Sequence, residues 1–461
     1  MSDTRVKFYK GTHGMGIVIS VTYENDRIIF DFGAPFEPEN EIYDGYVLKR
    51  EENRVKDALL LGKIPMVPGV FKKKDLKDIE LVSSEESDIN TAVFINHLHL
   101  DHCSEMDKVD PQIPVYIHSD GIKLQKCLEA IGEETHRREY QPYLYHDIIQ
   151  VGQISVQPFF SDHPCPGASG FLITTPDSTI YYSGDIRFHG MNSQKAFEDL
   201  YKVAENNIDL LIVDSTTTSA SEFNLNVTDT AENSSNDQTQ SYVTEEMIYN
   251  SIYAKHKKDD RLIVVNEYNR DVDMMLHIYQ LAQYLSRKAV FEASYAYILY
   301  QLKGVKVCIL NDGKTAENSY LRECAAEFEF VDTEEIRKHP ENYILQNSYE
   351  NILNLIDLDS VRASYYHLFG EPLVPQDKHY KIMRNMVEKL GWEFVTYSNL
   401  YSFSHAYPNH LSYMVERIQA KSVVAVHSKH PENLVVRNSH HILPTDGDEY
   451  LLKNGELIRM D

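Results

Sequence analysis

The sequence predicts a layered α/β protein in two parts. Two observations carry this. The first half reads as short strands divided by turns, with helical patches between them, whereas the chain beyond a polar stretch at 219–242 alternates strand, helix, strand. The bounds agree: 461 residues span several domains at roughly 100–200 residues each, and 42% hydrophobic with 25% charged residues describe a globular chain.

In chain order, strands are expected at 16–21 and 27–30 around the turn 23–26, then at 91–95, 115–118, 154–159, 170–175, 179–183 and 209–213. Pro176-Asp177 favours a turn between the strands at 170–175 and 179–183. A helix is expected over 122–131. The stretch 219–242 is rich in Ser, Thr and Asn, and no Lys or Arg occurs from Val203 to Ala254, so a flexible loop is expected. Beyond it come a strand at 261–265, a helix at 272–287, and strands at 289–291 and 305–310. A last unit follows Gly391: a strand at 393–397, a helix at 410–419 and a strand at 422–426. The expected division is 1–214, an insertion at 215–390 with its loop at 215–242, and a return at 391–461 that completes the first part.

Composition narrows the function. With 70 Asp+Glu against 45 Lys+Arg the chain carries −25, which excludes a generally basic surface. A polyanion would have to be drawn in by a local patch or by bound cations. The five cysteines are scattered and form no C-x-x-C, which suits free thiols in a reducing, cytoplasmic setting. No apolar run approaches the ~18 residues of a membrane span, and the first residues lack the apolar core of a secretory signal.

The strongest local signal is Asn96-His97-Leu98-His99-Leu100-Asp101-His102, directly after the buried strand at 91–95. On extended backbone His97 and His99 point to one face, and a turn brings Asp101 and His102 round. Imidazoles with a carboxylate suit zinc and similar metals. The bland alternative is a His-rich exposed loop, but ligands set on the end of a buried strand are what a rigid site requires.

This string has the form H-x-H-x-D-H and resembles the signature of the metallo-β-lactamase superfamily. The resemblance continues in the family's order, through Asp31 in Ile29-Phe30-Asp31-Phe32-Gly33, His163 in Ser161-Asp162-His163-Pro164, and Asp185 in Ser183-Gly184-Asp185. After the insertion, Ser404-His405-Ala406 and Val426-His427-Ser428 resemble motifs B and C of the β-CASP branch, to which ribonuclease J belongs. Asp214 resembles motif A. The fold implied is a metallo-β-lactamase αββα sandwich with an inserted β-CASP-like α/β domain.

The resemblance implies a role for each residue. His97, His99 and His163 would bind one metal. Asp101, His102 and His427 would bind a second, with Asp185 bridging. Asp31 and Asp214 would support ligands from behind. Asp101, Asp185 and His405 would be catalytic. His405 and Arg187 would contact substrate, and His189 is left outside the site. The implied cofactors are two divalent ions, zinc or manganese, whose activated hydroxide would attack phosphorus. The implied activity is hydrolysis of RNA or single-stranded DNA. The alternative is hydrolysis of a small nucleotide, phosphodiester, ester or lactone. RNA or another phosphodiester is the expected partner, a membrane is not, and a homodimer is left open.

Three departures from ribonuclease J stand out. Ser404 replaces the usual glycine before the motif B histidine. The sequence given ends 34 residues beyond His427, so the C-terminal domain of ribonuclease J is expected to be absent. The turn Asn266-Glu267-Tyr268-Asn269-Arg270-Asp271-Val272-Asp273 carries three acids that oppose phosphate. The basic runs Lys72-Lys73-Lys74 and His136-Arg137-Arg138 read as solvated faces rather than substrate contacts. Most of the 31 tyrosines read as framework residues, although some could stack on bases.

Overall fold

The structure is a computed structural model that describes residues 3–36, 42–43, 46–133, 138–219, 244–313, 315, 318–397 and 404–460. Most of the expected loop, from 220 on, lies outside these residues, as do His136 and Arg137. Contacts divide the chain into a first unit (Met1–Ile122, Glu134–Phe223 and Ser404–Asp461) and a second (Lys123–Glu133 and Asn224–Phe403).

The first unit contains two sheets. Strands β1 (Thr4–Lys10), β2 (Val18–Tyr23), β3 (Asp26–Phe30), β4 (Asn90–Phe94), β5 (Val115–His118) and β6 (Gln141–Tyr143) lie in that order. The first three are antiparallel, and β3 to β6 run parallel. The second sheet holds β7 (Ile149–Val151), β8 (Ile154–Phe160), β9 (Ser169–Thr174), β10 (Thr179–Tyr182) and β11 (Leu210–Asp214). The late part of the chain completes both sheets. β19 (Ser422–Val426) pairs parallel with β11 and carries β20 (His440–Ile442) beyond it. The hairpin of β21 (Glu449–Lys453) and β22 (Glu456–Arg459) extends the first sheet beside β1. None of the C-terminal strands after β19 is expected from the sequence, because each is short and half exposed.

Alternation explains the layers. Phe30, Phe94, Phe171, Ile180, Tyr182 and Ile212 meet in one core between the sheets, with the Phe30 ring 5.2 Å from those of Phe171 and Tyr182. The intervening residues Tyr181, Leu211, Val213 and Val423 point the other way. They pack with Leu200 and Val203 of the helix Ser193–Ala204 and with Leu411 and Met414 of the helix Pro408–Ile418. A strand buried on both faces favours an unbroken apolar run, and β11 reads Leu-Leu-Ile-Val before Asp214 closes it.

The second unit is built on a wholly parallel sheet of seven strands. They are β12 (Leu262–Asn266), β13 (Lys288–Phe291), β14 (Cys308–Asn311), β15 (Phe330–Asp332), β16 (Tyr343–Gln346), β17 (Ala363–His367) and β18 (Glu393–Thr396), in the order β15-β14-β13-β16-β12-β17-β18. Here one expectation is corrected. The strand at 393–396, read as the start of the C-terminal return, pairs with β17 instead, with Tyr365 opposite Phe394. The helix Lys378–Lys389 that precedes it returns the chain to this sheet, as a parallel crossover requires. A second correction concerns 215–219. These residues, expected to open the flexible loop, form a buried turn.

Candidate metal centre

The strand ends set the site. Asp31 follows β3, Asn96 and His97 follow β4, His163 follows β8, Asp185 follows β10, Asp214 closes β11, and His427 follows β19. Asp214 lies directly opposite Val426 in the parallel pairing, which brings His427 beside it. Two of these residues, Asp31 (φ 59°) and His427 (φ 62°), take the left-handed backbone that non-glycine residues adopt only when their surroundings impose it. The backbone must also approach closely. A Cβ on Gly184 (φ +55°) would strike the Asn96 amide, and one on Gly33 would strike the Asp101 carbonyl.

Seven side chains converge. One donor atom each from His97, His99 and His163 lie within 4.8 Å of one another, and the same holds for Asp101, His102 and His427, and for His97, His102 and Asp185. Asp185 Oδ2 stands between the groups, 3.9 Å from His97 Nε2 and 3.2 Å from His102 Nε2. His427 Nε2 is 2.9 Å from Asp101 Oδ2, and His163 Nε2 is 3.1 Å from His99 Nδ1.

The hydrogen bonds fix which ring nitrogens are open. His97 Nδ1–H donates to Asn96 Oδ1 and His163 Nδ1–H donates to the Ser404 carbonyl at 2.9 Å. His102 Nδ1–H donates to Asp31 Oδ2 at 3.0 Å, and His427 Nδ1–H donates to Thr216 Oγ1 at 2.7 Å. Asp31 is itself held by the Asn96 N–H and the Tyr182 hydroxyl. In the neutral form each of these four rings therefore turns a bare Nε2 lone pair inward. Lone pairs facing carboxylate oxygens at 2.9 to 3.2 Å repel unless a positive charge lies between them. His97 Nε2 and His102 Nε2 are buried with no hydrogen-bond partner. The donor set therefore fits divalent metal, with oriented imidazoles, carboxylates and a supporting layer of acceptors.

The charges agree. Burial, then the neighbouring imidazoles, hold His97 well below the ordinary histidine range, and burial followed by His99 does the same for His163. Both stay neutral, the form that binds metal. Burial opposes charge on His102 and His427 as well, but Asp185 and Asp101 outweigh it. His102 is pushed well up and His427 to about 9. Burial would raise Asp101, yet His102 and His427 hold it at about 2. Protons compete with cations for this side of the cluster.

His405 also reaches the centre. Its Nδ1–H donates to Asp214 Oδ2 at 2.8 Å, and Nδ1 lies 3.8 Å from Asp185 Oδ2. His410 lies elsewhere, its ring 6.0 Å from Phe188, and His189 stacks on Tyr407 at 4.2 Å. Asp214 orients both late histidines, His405 directly and His427 through the Thr216 hydroxyl, which donates to Asp214 Oδ1 at 2.7 Å. Asn96, Thr216, Tyr182 and the Ser404 carbonyl were not singled out from the sequence. Asn96 and Thr216 each neighbour a residue that was, which is the one signal available. A backbone carbonyl leaves none.

Arg187 does not fit the expected phosphate contact. It is 1% exposed, its backbone bridges to Asp162, and its guanidinium lies 3.5 Å from the Asp162 carboxylate. The guanidinium is turned to Asp162, which gives it a structural role in place of the expected substrate contact. Lys72 and Lys73 form surface pairs with Asp110 and Glu86. Arg138, expected on a solvated face, instead donates to the carbonyls of Met106, Val109, Asp110 and Ile113.

Two sheets face to face with an oriented His/Asp cluster at their strand ends define a metallo-β-lactamase fold whose cluster fits divalent metal. Residues 73–242 match the family model described as beta-lactamase superfamily domain. The chain is 19% identical over 394 residues to Ribonuclease J of Mycoplasma pneumoniae, covering 80% of this chain and 63% of that one. It is 24% identical over 206 residues to Ribonuclease J of Pyrococcus abyssi, covering 43% of this chain and 42% of that one. The chain thus spans less than two thirds of these curated relatives. A crystal structure described as a protein of unknown function from Enterococcus faecalis V583 matches 98% of this chain and all of its own, with a TM-score of 0.77 at 25% identity.

Proposed function

We propose that the protein is a phosphodiesterase that cleaves RNA or single-stranded DNA, with the second unit as a β-CASP-like insertion. One observation carries the reading: Asp185 Oδ2 stands between a group of three histidines and a group made of Asp101, His102 and His427. The similarity to Ribonuclease J supports a nucleic-acid substrate. Two divalent cations, which we assign as zinc with manganese as the alternative, would neutralise developing phosphate charge and lower the pKa of water from about 15.7 to about 7.

The chain's own residues do the rest. Asn96, Asp31, Thr216 and Ser404 hold four imidazoles in one tautomer, so the site needs no reorganisation when substrate arrives. His405, anchored through Nδ1–H to Asp214 and held protonated by Asp214 and Asp185 against burial, donates Nε2–H to a non-bridging phosphate oxygen and orients it. Asp101 accepts the proton of the attacking water. The five cysteines are free, which supports a reducing setting, and among the described residues no helix is long and apolar enough to cross a membrane.

Metal-loaded protein is expected to cleave single-stranded RNA, and Asp185→Ala to abolish cleavage. Equal activity in that variant defeats the reading. A second reading, hydrolysis of a small phosphodiester, is favoured by the net charge of −25. Turnover of small substrates without salt-sensitive RNA binding would select it.

A further inference from the structure

A polymer bound at the metal centre brings phosphates beyond the one that reacts. A chain of net charge −25 repels them unless a cation stands close by. Several basic residues of the first unit are already engaged. Arg187 faces Asp162, Lys72 and Lys73 pair with Asp110 and Glu86, and Arg138 donates to four backbone carbonyls. Lys10, at the end of β1, donates to the carbonyls of Gly62 and Lys63. Lys429 is different. The residue is exposed, and among the described residues its ammonium makes no ion pair or hydrogen bond.

The ligand beside it sets its place. His427 leaves β19 on left-handed backbone and turns its ring into the cluster. Two residues of chain span at most about 7 Å, so the Lys429 backbone lies within that distance of His427. The backbone there is pinned. Gly11, just after β1, accepts the His427 N–H at 2.9 Å. The Ser219 hydroxyl oxygen accepts the Lys429 N–H at 2.9 Å. Ser428 Oγ lies 2.8 Å from Ser219 Oγ and 2.9 Å from Thr218 Oγ1. Ser428 is thus buried against the turn that follows β11, and the next residue, Lys429, reaches solvent. The acid that follows, Glu432, is already met by His430 at 3.0 Å and does not claim the lysine.

We propose that Lys429 is a positioning residue whose ammonium holds the phosphate next to the one that reacts, on the His427 side of the centre. This rests on the reading of the protein as a phosphodiesterase of single-stranded nucleic acid. An ammonium on a flexible stem offers a point charge and three donors without a fixed geometry. That suits a phosphate carried by a mobile single strand, and it fixes register without reading sequence. A substrate with a single phosphate gives Lys429 nothing to hold, so the residue favours a polymer over a small ester.

The test is binding of a short, labelled single-stranded RNA with phosphorothioate linkages, which resist hydrolysis. Fluorescence anisotropy follows it on the metal-loaded full chain from about 50 to about 200 mM salt. Lys429→Ala should weaken binding about 3- to 10-fold and lower the slope of log affinity against log salt by about 0.7, the share of one phosphate contact on a single strand. A merely structural lysine would not move that slope. Lys429→Arg keeps the charge and should keep the slope. The residue is exposed, so both variants are expected to fold. An unchanged slope in Lys429→Ala overturns the proposal and leaves the phosphodiesterase reading standing. An equal loss in Lys429→Arg overturns it too, because charge is then not what the site uses. If the RNA does not bind wild type at all, the nucleic-acid reading falls and the proposal falls with it.

Discussion

The cluster at the strand ends of the first unit and the carboxyl edge of the second unit's sheet both contain buried polar atoms without partners. They differ in what surrounds those atoms. His97, His102, His163 and His427 are each tied at Nδ1; Nε2 of His97 and His102 has no hydrogen-bond partner, while Nε2 of His163 and His427 meets His99 and Asp101, and all four converge with Asp101 and Asp185. Glu267, which follows β12, is open at both oxygens, and Gln346, which closes β16, is open at a donor. A convergence of lone pairs calls for a cation. A mixed set of acceptor and donor does not. Burial alone does not separate the two cases; the tautomers and amide orientations do.

Breaking the convergence is expected to have the largest effect. Asp185→Ala removes the carboxylate that stands between the two groups, so cleavage should fall by about 10³-fold or more. Elemental analysis should find bound metal reduced in parallel. Activity lost with full metal content would instead assign Asp185 to chemistry alone.

Arg187→Ala comes next, and it should act on stability rather than on substrate. It leaves the Asp162 carboxylate buried without its cation, a loss of about 3–5 kcal/mol. Denaturant melts should reveal it, while KM of the surviving folded protein stays near wild type. A raised KM with unchanged stability would restore the substrate contact expected from the sequence.

The supporting layer sets the third effect. Asp31→Asn and Thr216→Val each leave the inward donor in place but loosen the ring behind it, His102 in one case and His427 in the other. Metal affinity should drop by about 10–100-fold in each, read by competition with a chelator. Thr216→Ser should keep most of the affinity, because the hydroxyl remains. Equal losses in Ser and Val variants would mean that packing, and not the hydroxyl relay to Asp214, matters at this position.

These variants also divide what the sequence makes legible from what it hides. His97, His99, Asp101 and His102 sit within six residues, and local spacing exposes them. Asp31, His163, Asp185 and His427 are single residues after strands, recognised through their order along the chain. Thr216 and the Ser404 carbonyl act through contacts closed by residues 211 and 241 positions away, which no local pattern encodes. Arg187 was misread because a charged residue beside Asp185 looks alike whether it faces solvent or Asp162. The fold follows the same rule. β11 and β12, each an unbroken apolar run before one polar residue, are plain in the sequence. β16 and β17 hold shorter apolar runs beside polar residues and are recognised only by their partners. β18 was given to the wrong unit, because a strand's composition does not name its neighbour.

The smallest effect belongs to the second unit, and its pH window sharpens the contrast. Glu267 has a raised folded-state pKa, caused first by burial and then by Asp271. A carboxyl raised on folding binds its proton more tightly in the folded state. Its stabilising contribution is therefore complete below the unfolded pKa and is lost as pH rises toward the folded value. Glu267→Gln removes that titration while keeping the shape, so its stability relative to wild type should grow with pH, reaching about 1–3 kcal/mol once the wild-type carboxyl would have to ionise in the dry interior. Melting both proteins at pH 5 and pH 8 checks this: a difference larger at pH 8 is expected. The late histidines of the first unit behave in the same sense but over a higher window. His427 is raised to about 9, with Asp185 and Asp101 outweighing burial, so its contribution to the metal-free fold is complete below the ordinary histidine pKa and is lost as pH rises toward about 9. Metal should erase the histidine's pH dependence and leave that of Glu267 untouched. If metal changes both alike, the two sets of buried groups are not independent, and the distinction drawn from their open atoms fails.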